Sequence, residues 1–161
     1  MEYFDVPERF LCITPDGRAA ISTLDSALRI GDLCAGTIRA LGIEILGANH
    51  ACIAPSGAWA VVGAFNDLHV LELPSGTLIR RLEKNEISAV AASPNGRFFA
   101  SATRVGPIRV WPAAGESPVA EIDLSSACDH GSSLAFSPDG SDLSVGTERG
   151  VVLRFRLTTA R

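Results

Sequence analysis

Ser93-Pro94-Asn95-Gly96-Arg97-Phe98-Phe99-Ala100-Ser101-Ala102 is a tight turn running straight into a strand. Proline presets φ, the Asn side chain can bond the neighbouring backbone, and glycine tolerates φ > 0. The apolar runs on either side, Ala89-Val90-Ala91-Ala92 and Phe98-Phe99-Ala100-Ser101-Ala102, are strand-length and too short for a typical helix. The same phrase recurs as Thr14-Pro15-Asp16-Gly17, Ala54-Pro55-Ser56-Gly57 and Ser137-Pro138-Asp139-Gly140. The closing glycines 17, 57, 96 and 140 lie 40, 39 and 44 residues apart, a period that belongs to repeat architectures. Gly36, Gly76 and Gly115 follow the first three at a constant interval of 19 residues.

Between these fixed points lie further strand-length segments. Leu28-Arg29-Ile30, Leu68-His69-Val70-Leu71, Ile108-Arg109-Val110-Trp111 and Val151-Val152-Leu153-Arg154-Phe155 are third strands. After the second glycine come fourth strands such as Thr37-Ile38-Arg39-Ala40-Leu41 and Thr77-Leu78-Ile79-Arg80-Arg81-Leu82. Each unit is therefore a four-stranded antiparallel meander. Many strands are apolar at nearly every position, as in sheets covered on both faces. Units of that kind gain stability by stacking on their neighbours.

The order strand, Ser-Pro-Asp-Gly turn, strand, Ile-Arg-Val-Trp strand, turn, strand resembles the WD-40 repeat family of β-propellers. The resemblance covers about residues 9 to 157 and is strongest from Ser93 to Trp111. It implies an all-β fold, a propeller-type array of four-stranded blades in a single domain, 1–161. The blades fall at about 8–41, 48–82, 87–124 and 132–157, the last without its outer strand. The family's Trp-Asp pair is replaced by Gly31-Asp32, Leu71-Glu72, Trp111-Pro112 and Phe155-Arg156. His50 and His130 do not fall where the family has its Gly-His pair, and its turn aspartate survives as Asp25. The polar network that these groups form in the family is expected to be absent.

Propellers usually have about 4–8 blades, seven being usual in this family, so four make roughly half a ring. The fourth blade's outer strand falls near Thr159, where the sequence stops at Arg161, and the N-terminus could supply only a stub around Met1 to Tyr3. Two expectations follow: a partial propeller that pairs with itself or another partial propeller, or an excerpt or remnant of a longer one. In either case an open arc is expected to expose an apolar blade face at each end and an unpaired edge at the fourth blade.

A net charge of −4 at pH 7 carries no electrostatic footprint for nucleic acid or an anionic membrane. No apolar run approaches the roughly 18 residues of a membrane span. Met1-Glu2-Tyr3-Phe4-Asp5-Val6 does not read as a secretory signal, and the cytoplasm is the expected compartment.

The residues able to carry chemistry are few. Cys12 and Cys52 share one repeat position with Ala91 and Ala135, a small-residue packing slot on the first strand. Neither they nor Cys34 and Cys128 form a Cys-x-x-Cys pair. Cys128-Asp129-His130, beside Ser125, Ser126, Ser132 and Ser133, is the only local cluster of ligand or acid–base types. Its spacing matches neither a zinc site nor a catalytic triad, so it reads as a solvated loop. His69 is expected half-buried on a third strand. Arg80-Arg81 with Glu83-Lys84-Asn85-Glu86 reads as a solvated mixed-charge edge, or alternatively as contact for an acidic partner. No catalytic, cofactor or metal residue is assigned.

The resemblance implies a non-catalytic scaffold that binds protein partners, a second copy of the chain in an eight-bladed ring included. Two other functions stay open: a structural half-propeller completing another subunit's ring, and, more remotely, a propeller hydrolase.

Overall fold

The computed structural model describes residues 9–14, 16–82, 85–125 and 129–157, Phe10 by its backbone alone. Fifteen strands form four antiparallel sheets, with no α-helix among the described residues. The first sheet has the order β1 (Arg9–Ile13), β2 (Ala19–Leu24), β3 (Ala27–Asp32), β4 (Thr37–Glu44). The second is β5 (His50–Ile53), β6 (Trp59–Gly63), β7 (Leu68–Glu72), β8 (Leu78–Leu82). The third is β9 (Ile87–Ala92), β10 (Phe98–Thr103), β11 (Ile108–Pro112), β12 (Ala120–Ile122). The fourth holds β13 (Gly131–Phe136), β14 (Asp142–Thr147) and β15 (Val152–Arg156). β15 pairs only with β14 among the described residues, so the array is a partial propeller whose last blade has three strands. The first strands of successive blades touch one another, and the blades fan out from them.

The recurring turn forms as its residues dictate. Gly17, Gly57, Gly96 and Gly140 take φ of 69, 71, 65 and 71°. Each donates its N–H to the carbonyl three residues back, at 2.8–2.9 Å. Three of the turns carry the same side-chain lock. The Thr14, Ser93 and Ser137 hydroxyls donate to Asp16, Asn95 and Asp139 at 2.6, 2.8 and 2.6 Å. Each hydroxyl also accepts the N–H that opens the next strand, from Ala19, Phe98 and Asp142 at 2.9, 3.0 and 2.9 Å. Ala54 cannot make this lock, and the second turn keeps only the N–H of Ala58 to Ser56 Oγ at 3.3 Å.

Three apolar clusters fill the gaps between blades. Between blades 2 and 3, Phe99 is fully buried, 5.9 Å from the Trp59 ring and stacked at 6.3 Å on Trp111. Trp111 Nε1 donates to the buried Ser101 hydroxyl at 2.9 Å. Blade 3 thus ties its third strand to its second by one side-chain bond, whereas blade 4 has Val145 and Phe155 in those places.

The fourth strands add a contact with no counterpart in the sequence reading. Arg39 donates to the Pro74 carbonyl, and Arg80, at the same repeat position, donates to the Ala113 carbonyl. Each guanidinium thus reaches from one blade to the turn between the third and fourth strands of the next. Charge-assisted bonds of this sort are stronger than neutral ones. Arg80 is therefore not the solvated side chain that its Arg-Arg neighbourhood suggests.

Burial patterns separate the blades. β7 is buried at every position but its last, and β10 at every position but its first, as expected for sheets sandwiched on both sides. β15 instead alternates, with Leu153 and Phe155 half-buried against blade 3 and Val152, Arg154 and Arg156 exposed. At the blade 4 end of the arc the expected apolar face is corrected to a mixed one. Successive strand residues point to opposite faces, and blade 4 turns Leu153 and Phe155 toward blade 3 and Val152, Arg154 and Arg156 outward.

Candidate functional site

The meander places its turns at two ends. The Pro-x-Gly turns and the turns between third and fourth strands lie at one end. The turns between second and third strands, together with the blade-to-blade connections, lie at the other, the loop end. Large apolar side chains stand out in water there: Leu46 at 79% exposure, Phe65 at 50%, Val105 at 84% and Val151 at 47%. None sits on a strand; all four lie in connections. Loops are where a rigid scaffold usually carries recognition.

The loops are held in place by a repeated arrangement. The segment before blade 3 is tied to the β10–β11 turn by the Arg104 N–H to the Glu86 carbonyl, 3.0 Å, and by an Arg104–Glu86 ion pair at 3.1 Å. Blade 4 repeats it, with the Glu148 N–H on the His130 carbonyl at 3.2 Å and His130 Nε2 on Glu148 at 3.0 Å. In blade 2, Arg81 faces Asp67 at 3.8 Å. Exposed pairs of this kind contribute little to stability, at most about 1 kcal/mol each. Their effect is to hold loop shape and leave a mixed-charge surround for the apolar residues.

Between blades 1 and 2 the loop end opens into a cavity of about 230 Å³ lined by Glu44, Leu46, Phe65, Asp67, His69 and Arg81, among others. His69 is buried, not half-buried, and its Nδ1 has no partner. Burial pushes its pKa down, with Arg81 adding to the shift and Asp67 opposing it. The ring is thus a neutral imidazole at neutral pH.

The cysteines occupy the first-strand slot and elsewhere. Cys12 packs against the cluster between blades 1 and 2, and Cys52 against the one between blades 2 and 3. Burial pushes the Cys12 thiol up to about 12. Burial raises Cys52 as well, and Cys12 adds to that rise. Thiols held protonated in this way are poor nucleophiles and poor metal ligands. Cys34 is exposed in the β3–β4 turn.

Of the Cys128-Asp129-His130 cluster, Cys128 and the neighbouring Ser126 lie outside the described residues, as do Glu83 and Lys84. Asp129 is held below the ordinary carboxylate range, first by the Thr147 hydroxyl. It also accepts the His130 N–H at 2.9 Å. Asp129 and His130 therefore serve to hold the loop, while Ser132 donates to the Gly146 carbonyl at 3.1 Å. Among the described residues, no three His, Cys, Asp or Glu side chains come together as a group able to hold a metal ion. The apolar loop tips escape a reading of the sequence because a lone Leu or Val in a connection has no periodic signature.

No family model matches the chain. It is 29% identical over 125 residues to Periodic tryptophan protein 2 of Saccharomyces cerevisiae, covering 74% of this chain and 13% of that protein. It is 27% identical over 141 residues to an uncharacterized WD repeat-containing protein of Synechocystis, covering 84% of this chain and 40% of that protein. The chain thus spans well under half the length of these curated relatives. Turn period and sheet order make the described residues an all-β array of four antiparallel sheets, a partial propeller, and its sequence is similar to those of WD repeat proteins.

Proposed function

We propose that this chain is a non-catalytic scaffold that binds a protein partner through its loop end. WD repeat proteins generally bind protein partners and are generally not catalysts. The observation that carries the proposal is the set Leu46, Phe65, Val105 and Val151, exposed on connections at one end of the array. Apolar anchors within a polar surround are the usual make-up of a recognition surface. A ring completed by a second copy is the less favoured reading, because it requires blade 4 to offer a stacking face and that face is mixed, with Arg154 and Arg156 exposed on it.

The test is affinity capture with the triple variant Leu46→Asp, Phe65→Asp, Val105→Asp set beside a control, Leu33→Asp, at the opposite end. Partners retained by the wild type and the control and lost by the triple variant support the loop end as the binding surface. Partners retained equally by all three would overturn it. Circular dichroism confirms that each variant is folded before capture.

A further inference from the structure

Each blade has a face that looks toward the next, and register identifies its residues. Four positions after the turn glycine stand Ile21, Val61, Ala100 and, in blade 4, Ser144. Their cross-strand partners on the third strand are Ile30, Val70, Val110 and Arg154. Two positions after the glycine, Trp59 and Phe98 of blades 2 and 3 give way to Asp142. On the first strand, Ala89 gives way to Ser133. In blades 1 to 3 this forward face is the apolar wall on which the next blade packs. In blade 4 these positions are polar, and Ala135 and Val152, in the places of Cys52 and Leu68, stay apolar and exposed beside them.

These polar residues form a coherent arrangement. Arg154 and Arg156 on β15 both pair with Asp142, Arg156 Nε at 3.3 Å from its Oδ1. The two arginine side chains are 68% and 74% exposed, while Asp142 is 3% exposed. Both guanidinium groups therefore reach back to the buried Asp142 carboxylate, while most of each arginine side chain stays in water. Arg154, then Arg156, holds the Asp142 carboxyl below its ordinary range. Arg154 thus stands where Val70 and Val110 meet the next blade in blades 2 and 3.

From this register comparison we infer that blade 4 is a polar cap: its forward face ends the stacking, and neither a further blade nor the first blade of a second copy packs against it. A blade seated there would bury two guanidinium groups against one carboxylate, leaving a cation unpaired in an apolar gap. It would also strip water from the Ser133 and Ser144 hydroxyls without giving them partners. Repeat arrays need end units with a polar outer face to stay soluble. The cap is a property of the face itself, wherever the polypeptide leads after it.

A thiol at position 135 tests this, because the repeat already provides two matched reporters. Ala135→Cys copies the placement of Cys12 and Cys52, and Ala135 is exposed. The full chain is labelled with a maleimide at pH 7 and each site is assigned by peptide mass. Expected is labelling of the introduced thiol at least about 100-fold faster than Cys12 or Cys52, following exposure and thiolate fraction. The rate should be unchanged between micromolar and several hundred micromolar protein. Slow labelling matching Cys52, or protection that grows with protein concentration, would show the face covered and overturn the inference. Ser133→Cys, a near-isosteric change on the same face, repeats the measurement if Ala135→Cys folds poorly.

Discussion

Blades 3 and 4 share a turn, a strand spacing and a sheet order, yet their forward faces have opposite chemistry. Blade 3 presents Ala89, Ala100 and Val110 to its neighbour, and all three are buried. Blade 4 presents Ser133, Ser144 and Arg154 to water. Their backward faces, by contrast, agree: Phe99 and Trp111 in one correspond to Leu143 and Phe155 in the other. The turn lock sets the shape of a blade, and the alternate residues of its strands set what that blade can touch. One sheet can therefore keep the fold of the array while ending it.

The largest effect should come from moving blade 4 chemistry into blade 3. Ala100→Arg puts a charge at a position of zero exposure, where neither a partner nor space exists. Overpacking and an unpaired buried charge together cost about 4 kcal/mol or more. Ser144→Arg, at the same register position, should shift stability by less than about 1 kcal/mol. Urea denaturation of the two variants decides it. Comparable losses would mean that the blade 4 face is a packed surface.

A smaller version of the contrast uses one methyl group. Gly63 in blade 2 and Gly146 in blade 4 share a register position, six residues after their turn glycines. A Cβ at 63 would lie 2.5 Å from Ile87 Cγ2, inside the next blade's buried first strand. A Cβ at 146 would meet the Ser133 hydroxyl at 2.3 Å, and that hydroxyl can rotate away toward water. Gly63→Ala should cost about 1–3 kcal/mol, and Gly146→Ala under about 1 kcal/mol. Thermal melting of both variants sharpens the comparison, and equal losses would argue against an open face.

Much of the fold is legible in sequence because turns are local. Pro-x-Gly at a fixed period needs only the chemistry of four residues, and all four turns form where they are spelled. What stacks on what is a tertiary matter and reads less clearly. Val152-Leu153-Arg154-Phe155-Arg156 spells a half-covered strand by simple alternation, yet turn spacing alone groups it with Ile108-Arg109-Val110-Trp111. Arg109 also breaks an apolar run, but it pairs with Glu121 at 2.7 Å on its own blade's outer strand, so one arginine on a third strand decides nothing. The Arg39 and Arg80 contacts are hidden for a related reason, since an arginine bonding a carbonyl 35 or 33 residues away has no local signal. The loop-end tips become visible only once the meander places them together.

The smallest effect concerns the turns, where blades 3 and 4 differ by one titrating group. Asn95 and Asp139 accept the same pair of bonds, from the serine two residues before and from the N–H two residues after. The Ser137 hydroxyl, then Ser141, pulls the Asp139 carboxyl down to about 2. An unfolded aspartate titrates near about 3.9. The folded value is the lower one, so the turn's contribution is complete above about pH 4 and is lost as pH falls toward about 2. The blade 3 turn, held by an amide, has no such dependence. Carbon NMR of the side-chain carboxyl should place the Asp139 midpoint close to about 2, and Asp139→Asn should make the acid limb of the stability curve slightly shallower. A midpoint near the unfolded value would mean that the hydroxyl bonds do not hold in solution, and the two turns would then differ in more than charge.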